Sequence, residues 1–293
     1  MQKIAILTDT TSDVDPSIIK EYNIVEVPLQ IIYNSEVTYK DKYEKNIDDV
    51  INDINSNTIS SSLPLTSDLI DKIEYIISEG YTHIIATCMS CGISGTYNLF
   101  QQILNLYSDK ITYHLIDCRS CSMGMGFLIE KAVKMKENGI SFEEIVKELE
   151  KLKTKEDFFF TVDKLDYLHT SGRIKRSSKV VGNLLNIKPI ITCIKKTGNL
   201  EVIDAVRGRK KVNQQILNYI IDFAANDQID NIYIMHSNLQ ENADELEKVI
   251  QDYYPNVKIY KRPISSLFVI HKGPHIYGAV VTLKSGRHHA FPF

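Results

Sequence analysis

The chain has 293 residues, 43% of them hydrophobic and 24% charged, which is the composition of a folded globular protein long enough for two domains. A net charge of −3 gives no electrostatic reason to expect a nucleic-acid surface. No apolar run approaches the ~20 residues that span a bilayer, and the first residues lack a signal-peptide core, so the expected location is the cytoplasm, where thiols stay reduced.

The first half alternates strand and helix signals. Residues 4–7 and 24–32 read as strands, and a polar, charged stretch follows over 34–45. Apolar spacing predicts helices over 47–54 and 68–78. Short apolar strands at 84–87 and 111–116 each lead through a glycine-containing turn into a helix, 96–106 and about 123–136. Ser141 caps a further helix over 142–152, with Glu144 placed for a capping box. This alternation predicts a parallel sheet with helices on both faces. The charged segment 151–157 suggests a boundary near residue 155, giving domains 1–155 and 156–293. In the second half, strands at 158–162, 187–194 and 200–206 include a hairpin turning at Lys196-Thr197-Gly198-Asn199. A helix over 210–225, a strand over 229–235, a helix over 241–253 and strands near 257–260 and 278–283 complete a mixed or antiparallel α+β domain.

Four polar clusters fall where loops should leave strands: Thr8 to Asp13, Ser60 to Pro64, Ser90 to Thr96, and Asp117 to Gly124. In an open α/β sheet, ligands bind in the crevice beyond the strand C-termini, where such loops converge. Ser94-Gly95-Thr96 opens a helix, and a helix start offers free amides and the positive dipole end to an anion. The same residues also suit an ordinary strand-to-helix connection with Ser94 as N-cap. Phosphate-loop, dinucleotide and G-x-S-x-G signatures are absent. Ser94 with His271, at the end of an apolar run before a Gly-Pro turn, would suit a nucleophile and its base in a hydrolase. Cys88/Cys91 and Cys118/Cys121 form two C-x-x-C pairs, compatible with inert thiols, a zinc site or a redox pair. The cluster Arg207 to Lys211 suits a solvated helix start or a docking patch for an acidic partner.

Seven short motifs, in order, resemble the DegV family: Thr8-Asp9-Thr10-Thr11-Ser12-Asp13, Ser61-Ser62-Leu63-Pro64, Gly92-Ile93-Ser94-Gly95-Thr96-Tyr97, Leu165-Asp166-Tyr167-Leu168, Ser171-Gly172-Arg173-Ile174, Lys188-Pro189-Ile190-Ile191 and His271-Lys272-Gly273-Pro274. The resemblance implies two α/β domains and a long-chain fatty acid in an internal tunnel. It also implies a carrier subunit without turnover of its own, which presents the acid to a separate ATP-dependent fatty-acid kinase subunit for conversion to an acyl phosphate. Brief contact with a membrane surface is compatible with that role, and no metal or cofactor is implied. Carried over, Ser61 and Ser94 would bond the carboxylate, His271 would complete the cluster, and Ser62, Gly95, Thr96 and Gly273 would line it. Arg173, Arg207 and Arg209 would orient the acyl phosphate or contact the kinase. Ser61 stands where the family usually has threonine, Ser171 where it has glycine, and Leu63 and Leu65 where polar residues are common. Cys91 and Cys118 stand at hydroxyl positions, which weakens the zinc reading.

Overall fold

The computed structural model describes residues 2–174, 187–225, 227–262 and 264–284. The first part of the chain runs β1 (Ile4–Asp9), a 3-10 turn (Thr10–Ser12), α1 (Pro16–Glu21), β2 (Val25–Val27), β3 (Gln30–Tyr33) and β4 (Val37–Lys40). It continues through α2 (Ile47–Asp53), β5 (Ile59–Ser62), α3 (Thr66–Ser78), β6 (His83–Cys88), α4 (Thr96–Asn105), β7 (Thr112–Asp117), α5 (Met123–Glu137) and α6 (Phe142–Leu152). The remainder holds β8 (Glu156–Val162), α7 (Asp166–Thr170), β9 (Ile187–Cys193), β10 (Leu200–Arg207), α8 (Arg209–Ala224) and β11 (Ile229–Ser237). Last come α9 (Gln240–Tyr253), β12 (Lys258–Arg262), α10 (Ser266–Lys272) and β13 (Ile276–Leu283).

These strands build three sheets. β2-β1-β6-β7 is wholly parallel, as the alternation predicted. The second half forms a six-stranded sheet in the order β10-β9-β8-β13-β11-β12. It is mixed: β11 and β12 run parallel, and the other pairs run antiparallel. β13 is buried along its whole length, as a central strand covered on both faces must be. The hairpin joining β9 and β10 forms as expected, and the capping box of Ser141 and Glu144 opens α6.

The third sheet was not foreseen. Residues 24–32 were expected as one strand, but Pro28 has no N–H to give to a ladder, and the run divides there. β2 stays in the parallel sheet, while β3 pairs with β4 and β5 in an antiparallel sheet ordered β4-β3-β5. Ser60 to Ser62, expected as a loop, therefore lie in a strand, with Ser61 opposite Ile31. α1, α7 and α10 have six, five and seven residues, too short to show a helical apolar period.

A continuous buried cluster runs from Ile4 to Val280. α5 lies at its middle, packed on β1 and β6 on one side and on β8 and β13 on the other. The β9–β10 turn docks on the loop after β6: the Ser90 hydroxyl donates to the Gly198 carbonyl at 2.8 Å and Arg119 Nη1 to the Lys196 carbonyl at 3.2 Å. A Cβ at Gly92 would stand 2.6 Å from the Gly198 carbonyl carbon, so only glycine lets the two backbones meet. Gly92→Ala should therefore cost about 1–3 kcal/mol in a urea-unfolding measurement, the range for forcing atoms into a packed site.

Candidate carboxylate-binding site

Strand alternation sets the first half of the site. On β5, Ser61 is half-buried while Ser60 and Ser62 are exposed on the opposite face. α10 packs against β5, α2 and α7, and its last turn brings His271 to Ser61, with Oγ to Nε2 at 2.6 Å. His271 thus sits in the last turn of a short helix, where the apolar run before the Gly-Pro turn is helical. Gly273 caps α10 at φ 86°, and a Cβ there would meet the Tyr167 ring at 2.8 Å. Its contribution is to end the helix and seat it on α7, and it leaves the polar contacts to its neighbours.

Burial pushes the His271 imidazole down to about 3, and the positive charges of Arg173 and Lys272 push the same way. The ring is neutral at physiological pH, with one donor and one acceptor nitrogen. Arg173 donates to the Ser171 carbonyl, and the Ser171 hydroxyl reaches the Leu168 carbonyl at 3.1 Å and the His271 carbonyl at 3.4 Å. Ser171 and Lys272 were not singled out as site supports. Beyond its place in the motif His271-Lys272-Gly273-Pro274, the sequence signal for Lys272 is a charge closing the apolar run 267–270.

The second half is the start of α4. Ser94 Oγ accepts from the Thr96 amide at 3.2 Å and shares a hydrogen with Thr96 Oγ1 at 2.8 Å. Gly95 occupies the cap position without a side-chain cap, which leaves amides of the first turn for a ligand. A Cβ on Gly95 would lie 3.5 Å from a Leu63 methyl, so the Ser94 loop and the end of β5 are neighbours across Leu63. Ser94 and His271 do not form the expected nucleophile–base pair; the hydroxyl at the imidazole belongs to Ser61.

Two of the four expected polar loops face inward. Residues 8–13 are 0–2% exposed, and Asp9 accepts from the Thr11 amide at 2.8 Å and the Met89 amide at 3.3 Å. Asp117 is spent on the Cys91 amide and on Arg119, at 3.2 and 2.5 Å. The reason is coverage, because α5 and the β9–β10 turn fill the space beyond these strand ends. Arg207 is exposed at the end of β10. Arg209 is held by Asp163 at 3.1 Å, beside the Lys188–Asp163 pair at 2.7 Å.

The C-x-x-C pairs do not assemble a zinc centre. Cys88, Cys118, Cys121 and Cys193 are buried and Cys91 is exposed. Burial raises each thiol, Cys121 to about 11, which opposes the thiolate that a metal needs. Among the described residues no group of three or more His, Cys, Asp or Glu is placed to hold a metal ion. Surface cavities of about 450 and 420 Å³ lie beside Tyr43 and Tyr75 and beside Cys91 and Arg119; neither is lined by Ser61, Ser94 or His271. No described helix is long and apolar enough to cross a membrane.

A parallel α/β sheet joined to a mixed six-stranded sheet is an arrangement that other proteins share. The chain belongs to the DegV family, whose model, described as an uncharacterised protein family, matches residues 3–284. A DegV domain-containing protein of Clostridium acetobutylicum is 35% identical over 283 residues, covering 96% of this chain and 99% of that protein. Another from Clostridium perfringens is 31% identical over 284 residues, covering 96% and 99%. Among solved structures, DegV of Bacillus subtilis, described as a fatty acid binding protein, is 25% identical at TM-score 0.86, covering 97% of this chain and 100% of that one. A fatty acid binding DegV family protein of Streptococcus agalactiae superposes at TM-score 0.88 with 23% identity, covering 97% and 100%.

The neutral imidazole has a consequence for stability. Between its ordinary 6.5 and about 3, the unfolded chain binds a proton at this ring that the folded protein does not. Stability should therefore fall as pH drops through that window, and His271→Gln should flatten that part of a urea-midpoint profile against pH.

Proposed function

We propose that this protein binds a long-chain fatty acid and holds its carboxylate between Ser61, Ser94 and His271. In this reading a separate ATP-using kinase subunit phosphorylates the presented carboxylate to an acyl phosphate. The observation that supports it best is the Ser61–His271 contact at 2.6 Å, facing the helix start at Ser94 across Leu63. Relatives point the same way: the Bacillus subtilis and Streptococcus agalactiae proteins are described as fatty-acid binders, and a similar protein of Eubacterium ventriosum as stearic-acid-binding.

The chemistry fits a carboxylate better than a neutral group. A buried carboxylate needs donors to offset its lost hydration. Two hydroxyls, a neutral imidazole and first-turn amides supply them without a tight ion pair, which leaves an oxygen free to attack a phosphoryl group. The tail supplies the affinity, at ~0.8 kcal/mol per buried methylene and roughly 10 kcal/mol gross for a common fatty acid, before binding costs. Behind His271 the interior is apolar, with Phe268 of α10 facing Phe158 and Phe160 of β8 at 6.0 and 6.4 Å. Admitting the tail there requires these closely packed rings to move apart. Arg173, beside His271, and the exposed Arg207 are left to meet the acyl phosphate or the kinase, whereas Arg209 is engaged by Asp163.

Native mass spectrometry of the purified protein tests the first step, since a bound mass should equal that of an ordinary fatty acid. Ser94→Ala and Ser61→Ala should each weaken fatty-acid binding about tenfold, the loss expected for one hydrogen bond to a charged group, with unfolding midpoints little changed. Protein that never retains lipid, or variants that bind as wild type does, would sink this assignment. Hydroxylamine trapping of acyl phosphate, with an ATP-dependent kinase subunit added, tests the second step.

A further inference from the structure

Under the start of α10 lies a group of buried oxygens that the carboxylate site does not use. Asp13 and Asp41 are 2% and 0% exposed. Asp13 accepts from the Ser122 hydroxyl at 2.5 Å and from the Ser265 amide. Neither carboxylate oxygen of Asp41 closes a hydrogen bond, although the Thr10 and Ser266 hydroxyls face it. The hydroxyls of Ser12 and Ser265, 0% and 4% exposed, are also without partners. A buried polar oxygen left unmatched costs free energy, and these atoms, close in sequence to the two aspartates or to the start of α10, call for a partner.

Charge decides what kind of partner. Lys42 also faces both aspartates, and its ammonium is bonded to Glu26 at 3.0 Å, so one ammonium is shared among three carboxylates. Lys272, buried over the Phe268 ring, faces Asp13 and contributes one positive charge. Asp9 is set apart by its own donors from Thr11 and Met89. Asp13 and Asp41 set two carboxylates against the Lys272 ammonium, and because burial raises Asp13 to about 7 and Asp41 to about 6, the excess negative charge is complete only above neutral pH. The surrounding atoms are carboxylate and hydroxyl oxygens, hard donors without a thiol or imidazole among them.

We propose that Asp13, Asp41, Ser12 and Ser265 bind a monovalent alkali cation, sodium or potassium, which fastens the start of α10 to the loop after β1. Because α10 carries His271 in its last turn, an ion at its start would also help to hold that residue in place. The proposal rests on these buried oxygens and does not depend on the ligand proposed above.

The test is thermal unfolding of the full chain at pH 8 in sodium, potassium or N-methylglucamine chloride at one ionic strength. The midpoint should be at least ~2 °C higher in sodium or potassium than in N-methylglucamine. Asp41→Asn removes the charge while keeping the shape, so it should abolish the difference between salts. Should that variant fail to fold, Ser265→Ala should still raise the cation concentration at half-effect several-fold. Equal midpoints in all three salts would overturn the proposal. A midpoint indifferent to the cation but rising as pH falls from 8 to 6 would overturn it too, by assigning the missing charge to a proton shared by the two aspartates.

Discussion

The site depends on the burial of α10. Seven residues cannot hold a helix in water by themselves, so this one exists because Leu267, Phe268, Val269 and Ile270 are all taken from solvent. Phe268 anchors it on the rings of β8, β5 and α2 flank it, and Gly273 ends it against Tyr167. One end of the helix meets Asp13 and the other delivers an imidazole to Ser61. A displacement of this short element by even an ångström would break a 2.6 Å contact whose partners are 210 residues apart in the chain.

Burial also sets the electrostatic character of the site. Arg173 and Lys272 flank His271, and with the loss of water they keep the ring uncharged. Two cations so close to the proposed carboxylate site would ordinarily suggest direct pairing. Here Arg173 is turned onto the Ser171 carbonyl, and Lys272 lies over a phenyl ring. Their charge reaches the site through space, while neutral groups stand closest to it. That division suits a ligand whose carboxylate must be held and yet stay reactive.

How much was legible beforehand varied with the kind of signal. α6 could be read to the residue because a capping box and an amphipathic run are local chemistry, and β13 and β11 because an apolar run marks a covered strand. The third sheet could not be read, since pairing of Ser61 with Ile31 is long-range and a serine-rich strand looks like a loop. Residues 8–13 show the opposite failure: hydroxyls and carboxylates suggested an open crevice, but α5 and a distant hairpin cover them. Ser94 and His271 were legible from the helix start and the apolar run before a Gly-Pro turn, and the role of Ser61 came through motif resemblance. The alternative pairing of Ser94 with His271 as nucleophile and base did not form, because proximity of side chains is a tertiary quantity.

What the amino-acid sequence determined by itself was the alternation of strands and helices in the first half, the mixed character of the second, and the family, because periodicity, caps and ordered short motifs are properties of neighbouring residues. The tertiary structure alone decided which hydroxyl meets His271, which polar loops are plugged and which cations stand back from the site. Each of those turns on burial and on contacts between segments far apart in the chain, and neither is written in any local stretch of residues.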